Sequence, residues 1–167
     1  MNSKGMTLIE IIVVIVLLGI IGLFTFDFVG KGVETYIIAS NQAGLLAEAK
    51  LAMERMTREI RDAEVILAPA LGKSSTKIQF NKSHSTVLDI TKDITFKLNK
   101  KNGILKRIGD ENKPLAKNVS NFTVTNNSNE IKLELTLSLT GGENVTLHTK
   151  VYPKNLPSQF NGDWEEV

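Results

Sequence analysis

Apolar and polar positions follow three successive patterns along this chain, and each predicts a different element. From Ile11 to Phe26 the 16 residues IIVVIVLLGIIGLFTF carry no charge, and extending back to Met6 gives 21 residues with a single one, Glu10. Such a segment is apolar all round and offers no face to water. As a helix, 21 residues rise roughly 31 Å, about the hydrocarbon thickness of a bilayer. A chain of 167 residues has little interior in which to bury a helix of this kind, so insertion in a membrane is expected. Lys4 and the amino terminus precede the run and Lys31 follows it. The short cationic start is expected in the cytoplasm and the C-terminal part outside it, across the inner (cytoplasmic) membrane. A secretory signal would need small residues behind the apolar core, whereas Asp27, Phe28 and Val29 stand there.

The second pattern has a helical period. Leu45, Ala49, Ala52, Met53, Met56, Ile60, Ala63 and Leu67 recur at intervals of mostly three or four, which places them on one face. Lys50 with Glu54, Glu54 with Arg58, Arg55 with Glu59, and Arg58 with Asp62 form i,i+4 pairs on the remaining surface. The charged stretch from Arg55 to Arg61 therefore reads as a solvated helix face. Pro69 supplies a stop. An unbroken helix from Met6 to Leu67 would hold 62 residues and span roughly 93 Å; Gly30 and Gly32 are the candidate points for a break.

Beyond Pro69 the alternation is that of strands. Ile78 and Phe80 alternate with polar neighbours, as do Ile94, Phe96 and Leu98, and Asn102-Gly103 then turns the chain toward Ile104–Ile108. Ile131–Leu139 puts five apolar residues on one face, and Gly141-Gly142 turns into Val145, Leu147, Thr149 and Val151. Strands that are apolar on one side suit an antiparallel sheet with one wet face. The apolar stripe of the Leu45–Leu67 helix is the natural cover for the other. The predicted fold class is α+β: a long N-terminal helix, half membrane-inserted and half amphipathic, packed on an antiparallel β-sheet. Residues 152–167 read as irregular, with Asp163-Trp164-Glu165-Glu166 as a frayed end.

Composition removes most chemistry. With no cysteine there is no disulfide framework, thiol nucleophile or lipidated N-terminal cysteine. Two histidines, His84 and His148, leave little for a metal site, and no metal or other cofactor is predicted. A net charge of +2 gives no reason to expect nucleic acid. Asp110-Glu111-Asn112 lacks the spacing of a calcium loop and reads as a solvated turn. The Asn-x-Ser/Thr matches at Asn118, Asn121 and Asn144 reflect composition. No Ser/His/Asp set or phosphate-binding glycine loop stands out, so the chain is not expected to be an enzyme.

The residues ahead of the apolar run carry the most specific signal. Gly5-Met6-Thr7-Leu8-Ile9-Glu10, behind a short leader with one lysine, closely resembles the processing motif of type IV prepilins and type II secretion pseudopilins. The resemblance implies cleavage between Gly5 and Met6 by a dedicated membrane peptidase, N-methylation of Met6 by the same enzyme, and assembly of the mature chain with other pilin or pseudopilin subunits. It divides the chain into a leader (1–5), a membrane or filament-core helix (6–29), an amphipathic half (30–68) and a sheet domain (69–167). The physics of Glu10 leaves two roles open. It complements the helix dipole in the first turn at headgroup depth, or it neutralises the Met6 amine of a neighbouring subunit; the resemblance implies the second. Gly19 and Gly22 would let helices approach closely in the membrane or filament core, although glycine is also common in membrane helices without any such role. Asp27 stands where many major pilins have proline. That departure, with the likeness of Met53–Ala63 to J-type pseudopilins and to W-type and O-type minor pilins, implies a minor or priming subunit. The competing expectation is an uncleaved single-pass membrane protein whose external domain binds a ligand or partner.

Overall fold

The structure is a computed structural model that describes residues 5–85 and 90–156. One helix, α1 (Leu8–Arg61), is followed by nine strands: β1 (Ala63–Ala68), β2 (Ser74–Ser75), β3 (Lys77–Lys82), β4 (Asp93–Asn99), β5 (Ile104–Ile108), β6 (Lys113–Ala116), β7 (Val119–Asn126), β8 (Ile131–Ser138) and β9 (Asn144–Val151). The predicted α+β order is therefore present. The chain divides into two compact units, Met1–Asn41 and Gln42–Val167.

In the first unit the helix has no core of its own to pack on. Every large apolar side chain from Leu8 to Ile38 is at least 41% exposed. Gly30 and Gly32 lie inside α1, which does not break there. An interior glycine costs about 1 kcal/mol relative to alanine, but it keeps its backbone hydrogen bonds, and local contacts support this stretch. Lys31 Nζ donates to Asp27 Oδ2 at 2.8 Å. The hydroxyls of Thr25 and Thr35 donate back to the carbonyls of Ile21 and Lys31, each at 2.8 Å.

In the second unit the strands form two antiparallel sheets where alternation alone suggested one. The first runs β1-β3-β4-β5-β6 and the second β2-β7-β8-β9. Strand β7 lies against β3, β4 and β5, so the inner faces of the two sheets meet in one core. The helical stripe of Leu45, Ala49, Ala52, Met53, Met56 and Ile60 joins that core with Phe80, Phe96, Phe122 and the Leu133–Leu137 row. Phe80 and Phe96 pack tilted, with ring centroids 5.8 Å apart.

The helix ends at Arg61 and not at Leu67, because Ala63–Ala68 pairs with β3. That segment contains Val65 and Ile66, which favour strands. The freed carbonyls at the helix end are taken up from elsewhere: Lys154 N donates to Arg61 O and Ser83 N to Asp62 O, both at 3.0 Å. Strand β7 was not legible as an alternation, since a bulge between Val119 and Asn121 puts Val119 out of phase with Phe122 and Val124. Strand β6 contains Pro114 and sits at a sheet edge, where a missing N–H is tolerated. Both predicted glycine turns are present. At Gly103 (φ +60°) a Cβ would lie 3.3 Å from Val119 O, and the Gly103 carbonyl itself accepts from Val119 N at 2.8 Å.

Candidate functional site

The N-terminal site is built from a non-helical lead-in and the first turn of α1. Residues 5–7 precede the helix, and Gly5 and Met6 are exposed. Nothing lies within 4 Å of a Cβ built on Gly5, and its φ is not positive. Folding of this chain thus gives no reason for glycine there.

Thr7 and Glu10 form a capping box. Glu10 N donates to Thr7 Oγ1 at 3.3 Å, and Thr7 N donates to Glu10 Oε2 at 3.4 Å. The carboxylate is thereby folded back over the first turn, toward the Gly5-Met6 segment. It complements the positive helix end.

Gly19 and Gly22 lie on α1, and a Cβ on either would meet nothing within 4 Å. The chain itself makes no use of their small size. The helix carrying them is long and apolar enough to cross a membrane, and none of the residues in its apolar window is buried. So much bare apolar surface requires lipid or neighbouring helices around it.

Residues 1–26 match the family model of the prokaryotic N-terminal methylation motif. The chain therefore carries this motif at its N-terminus. The match ends inside the apolar helix, and no curated protein and no solved structure matches the chain. The character of the sheet-bearing unit therefore rests on its own residues.

Three polar clusters in that unit went unseen in the sequence. At the end of α1, Asp62 Oδ1 accepts from Ser83 Oγ at 2.7 Å and from Asn155 Nδ2 at 3.1 Å, and His84 Nδ1 lies 2.5 Å from Ser83 Oγ and 3.5 Å from Asp62 Oδ1. The trio invites comparison with a hydrolytic triad. A triad needs the two ring nitrogens to serve different partners, one the hydroxyl and one the acid. Here Nδ1 alone faces both, so the cluster reads as a clasp that fixes the helix end. Burial pushes the Asp62 carboxyl up, but the hydrogen bonds from Ser83 and His84 and the nearby imidazole outweigh it and leave the group below its ordinary range.

The second cluster turns one member of the helix's charged stretch inward. Glu59 was expected on the solvated face. Instead Arg107 Nε donates to both its oxygens, at 3.0 and 2.8 Å, with the side chains only 6% and 15% exposed. Arg55 Nε adds a bond at 3.3 Å from the outer side. A Cβ on Gly109 would lie 2.9 Å both from a terminal nitrogen of Arg107 and from Ile94 Cδ1, so a larger residue there would make these side-chain ends shift.

The third cluster lies on the outer face of the second sheet. Glu130 meets Lys150 at 3.0 Å, Lys132 at 3.5 Å and the Tyr152 hydroxyl at 2.9 Å. The hydrogen bond from Lys150, then that from Tyr152, pulls the Glu130 carboxyl down to about 2. The same contacts with Glu130 raise Lys150 and Tyr152 above their ordinary values. A depressed carboxyl contributes stability above its unfolded value, near 4.5, and loses it as pH falls toward about 2. Glu130→Gln is accordingly expected to lower the urea midpoint by a constant amount between about pH 5 and 9. The gap from wild type should close in the acid range between those two values. A gap that persists undiminished at pH 2 would show that ionisation of Glu130 is not its source.

The Asp110 carboxylate accepts from the backbone and hydroxyl of Thr91, and Glu111 pairs with Lys113, so this acidic turn is closed by protein groups. The Asp163–Glu166 end lies outside the described residues.

Proposed function

We propose that this chain is a filament subunit, cut between Gly5 and Met6, N-methylated on Met6, and built as a minor or priming member into a type IV pilus or type II secretion pseudopilus. The observation that supports this most is the methylation motif over residues 1–26 placed directly before an apolar helix that the subunit leaves uncovered. Before assembly that helix anchors the chain in the inner membrane. Afterwards it lies among the helices of other subunits, where Gly19 and Gly22 permit close approach.

In this reading the peptidase acts on the exposed lead-in, and cleavage creates a cationic amine on Met6 beside the capped first turn. Glu10 of one subunit then receives the Met6 amine of its neighbour, which sets the axial register of adjacent helices. The sheet-bearing unit faces outward and meets other subunits. The role is structural, with the chain as substrate of the processing enzyme. Gly5→Val tests the first step, since it leaves the fold nothing to lose. Co-expressed with a prepilin peptidase, wild type should lose residues 1–5 and the variant should keep its full-length mass. Equal trimming of both would break the assignment of the cleavage point.

A further inference from the structure

The two sheets treat the charges on their outer faces in opposite ways. On the second, lysines meet acids: Lys132 and Lys150 share Glu130, and His148 faces Glu134 across the strand pair. On the first, Lys77 is directly opposite Lys97, and Lys97 directly opposite Lys106. Three like charges in one cross-strand row, at the usual strand spacing of about 4.8 Å, oppose folding of the sheet. Lys97 and Lys106 continue with Lys100 and Lys101 at the β4–β5 hairpin tip along one shallow groove, edged by Thr76 and Ile108. Among the described residues these five ammonium groups have no ion-pair partner. The acid nearest in the strand pattern, Asp93, is engaged by Gln79.

We propose that the lysine row Lys77–Lys97–Lys106, with Lys100 and Lys101, docks the sheet-bearing unit on the anionic phospholipid headgroups of the membrane that holds its own helix. This rests on the membrane-anchored part of the function proposed above and not on cleavage or filament assembly. Charge complementarity calls for a polyanion. A second copy offers little of one, since its acids Glu59, Asp110 and Glu130 are already engaged by its own groups. Lipid is favoured over nucleic acid because this face presents lysines only. It has no outward arginine fork for phosphates and no aromatic ring on which a base stacks, Arg107, Phe80 and Phe96 being turned into the core. Lysines act as point charges and accept a loosely ordered anionic surface. The apolar helix keeps that surface at high effective concentration, so weak individual contacts suffice. Docking of this kind is reversible and salt-sensitive, and it would hold a subunit at the membrane until neighbours replace the lipid.

The test uses the full chain in nanodiscs, either of phosphatidylcholine alone or with phosphatidylglycerol as about two-fifths of the lipid, and reads acylation rates of individual lysines by peptide mass. Lys97, Lys100, Lys101 and Lys106 should react about fivefold more slowly in the anionic discs, while exposed Lys50 and Lys154 stay unchanged. The protection should disappear in about 0.5 M salt. Lys97→Glu/Lys106→Glu, on the outer face and not in the core, should abolish protection of Lys100 and Lys101. Equal rates in both discs with the chain inserted would overturn the docking alone. A chain that fails to insert would overturn the membrane reading along with it. Protection of the same lysines by a short DNA duplex on phosphatidylcholine discs, but not by anionic lipid, would also overturn the proposal and make nucleic acid the partner.

Discussion

Glu10→Ala is expected to reduce recovery of the chain in sheared filaments at least tenfold, while cleavage after Gly5 and methylation of Met6 proceed. The carboxylate has two possible duties, and their energies differ. As a cap it closes the Thr7 box on an exposed helix end, which is worth about 1 kcal/mol. As the acceptor of a neighbour's amine inside an apolar filament core, its loss leaves an unpaired charge and costs about 3–5 kcal/mol, more than a hundredfold in an association constant. Glu10→Gln separates the two, because glutamine also serves in a capping box but carries no charge. If incorporation fails with glutamine as it does with alanine, the neighbour's amine is the reason. If glutamine restores it, Glu10 acts through the helix end and the docking role is wrong.

Arg107→Ala is expected to cost the sheet-bearing unit about 3 kcal/mol, the largest effect of any single side chain there outside the apolar core. The Arg107–Glu59 pair joins β5 to the helix from positions that are nearly enclosed, so deleting the cation strands a carboxylate that, among the described residues, only Arg55 still reaches. Urea unfolding of the full chain in micelles, followed by the near-ultraviolet signal, would read the loss. Arg107→Met/Glu59→Leu should recover most of it, because replacing both partners by apolar groups of similar size removes the stranded charge. A double variant as unstable as the single one would mean that Arg107 acts through its packing and not through Glu59.

These residues also show which parts of the molecule the sequence discloses. Gly5 to Glu10 and the apolar run are contiguous, so the methylation motif and the bare apolar helix are written in one stretch of chain. The stripe from Leu45 to Ile60 and the alternation of β8 are equally local, and both lie in the core as their periods require. Whatever depends on pairing is less visible. Val119 falls out of phase because of a bulge, and Ala63–Ala68 reads as helix until β3 is there to pair with it. Glu59 looks like any i,i+4 partner of Arg55 until Arg107, 48 positions away, reaches it. Lys77, Lys97 and Lys106 are ordinary lysines in sequence, and only the strand register aligns them. Asp62, Ser83, His84 and Asn155 likewise meet only once the chain has returned twice to the end of the helix.

The mass of the N-terminal peptide of the protein taken from its native membranes or filaments bears most directly on the central claim. The account predicts a peptide that begins at Met6 and carries one added methyl group. A peptide still beginning at Met1, in cells whose prepilin peptidase is active on other chains, would contradict it and leave an uncleaved membrane-tethered domain.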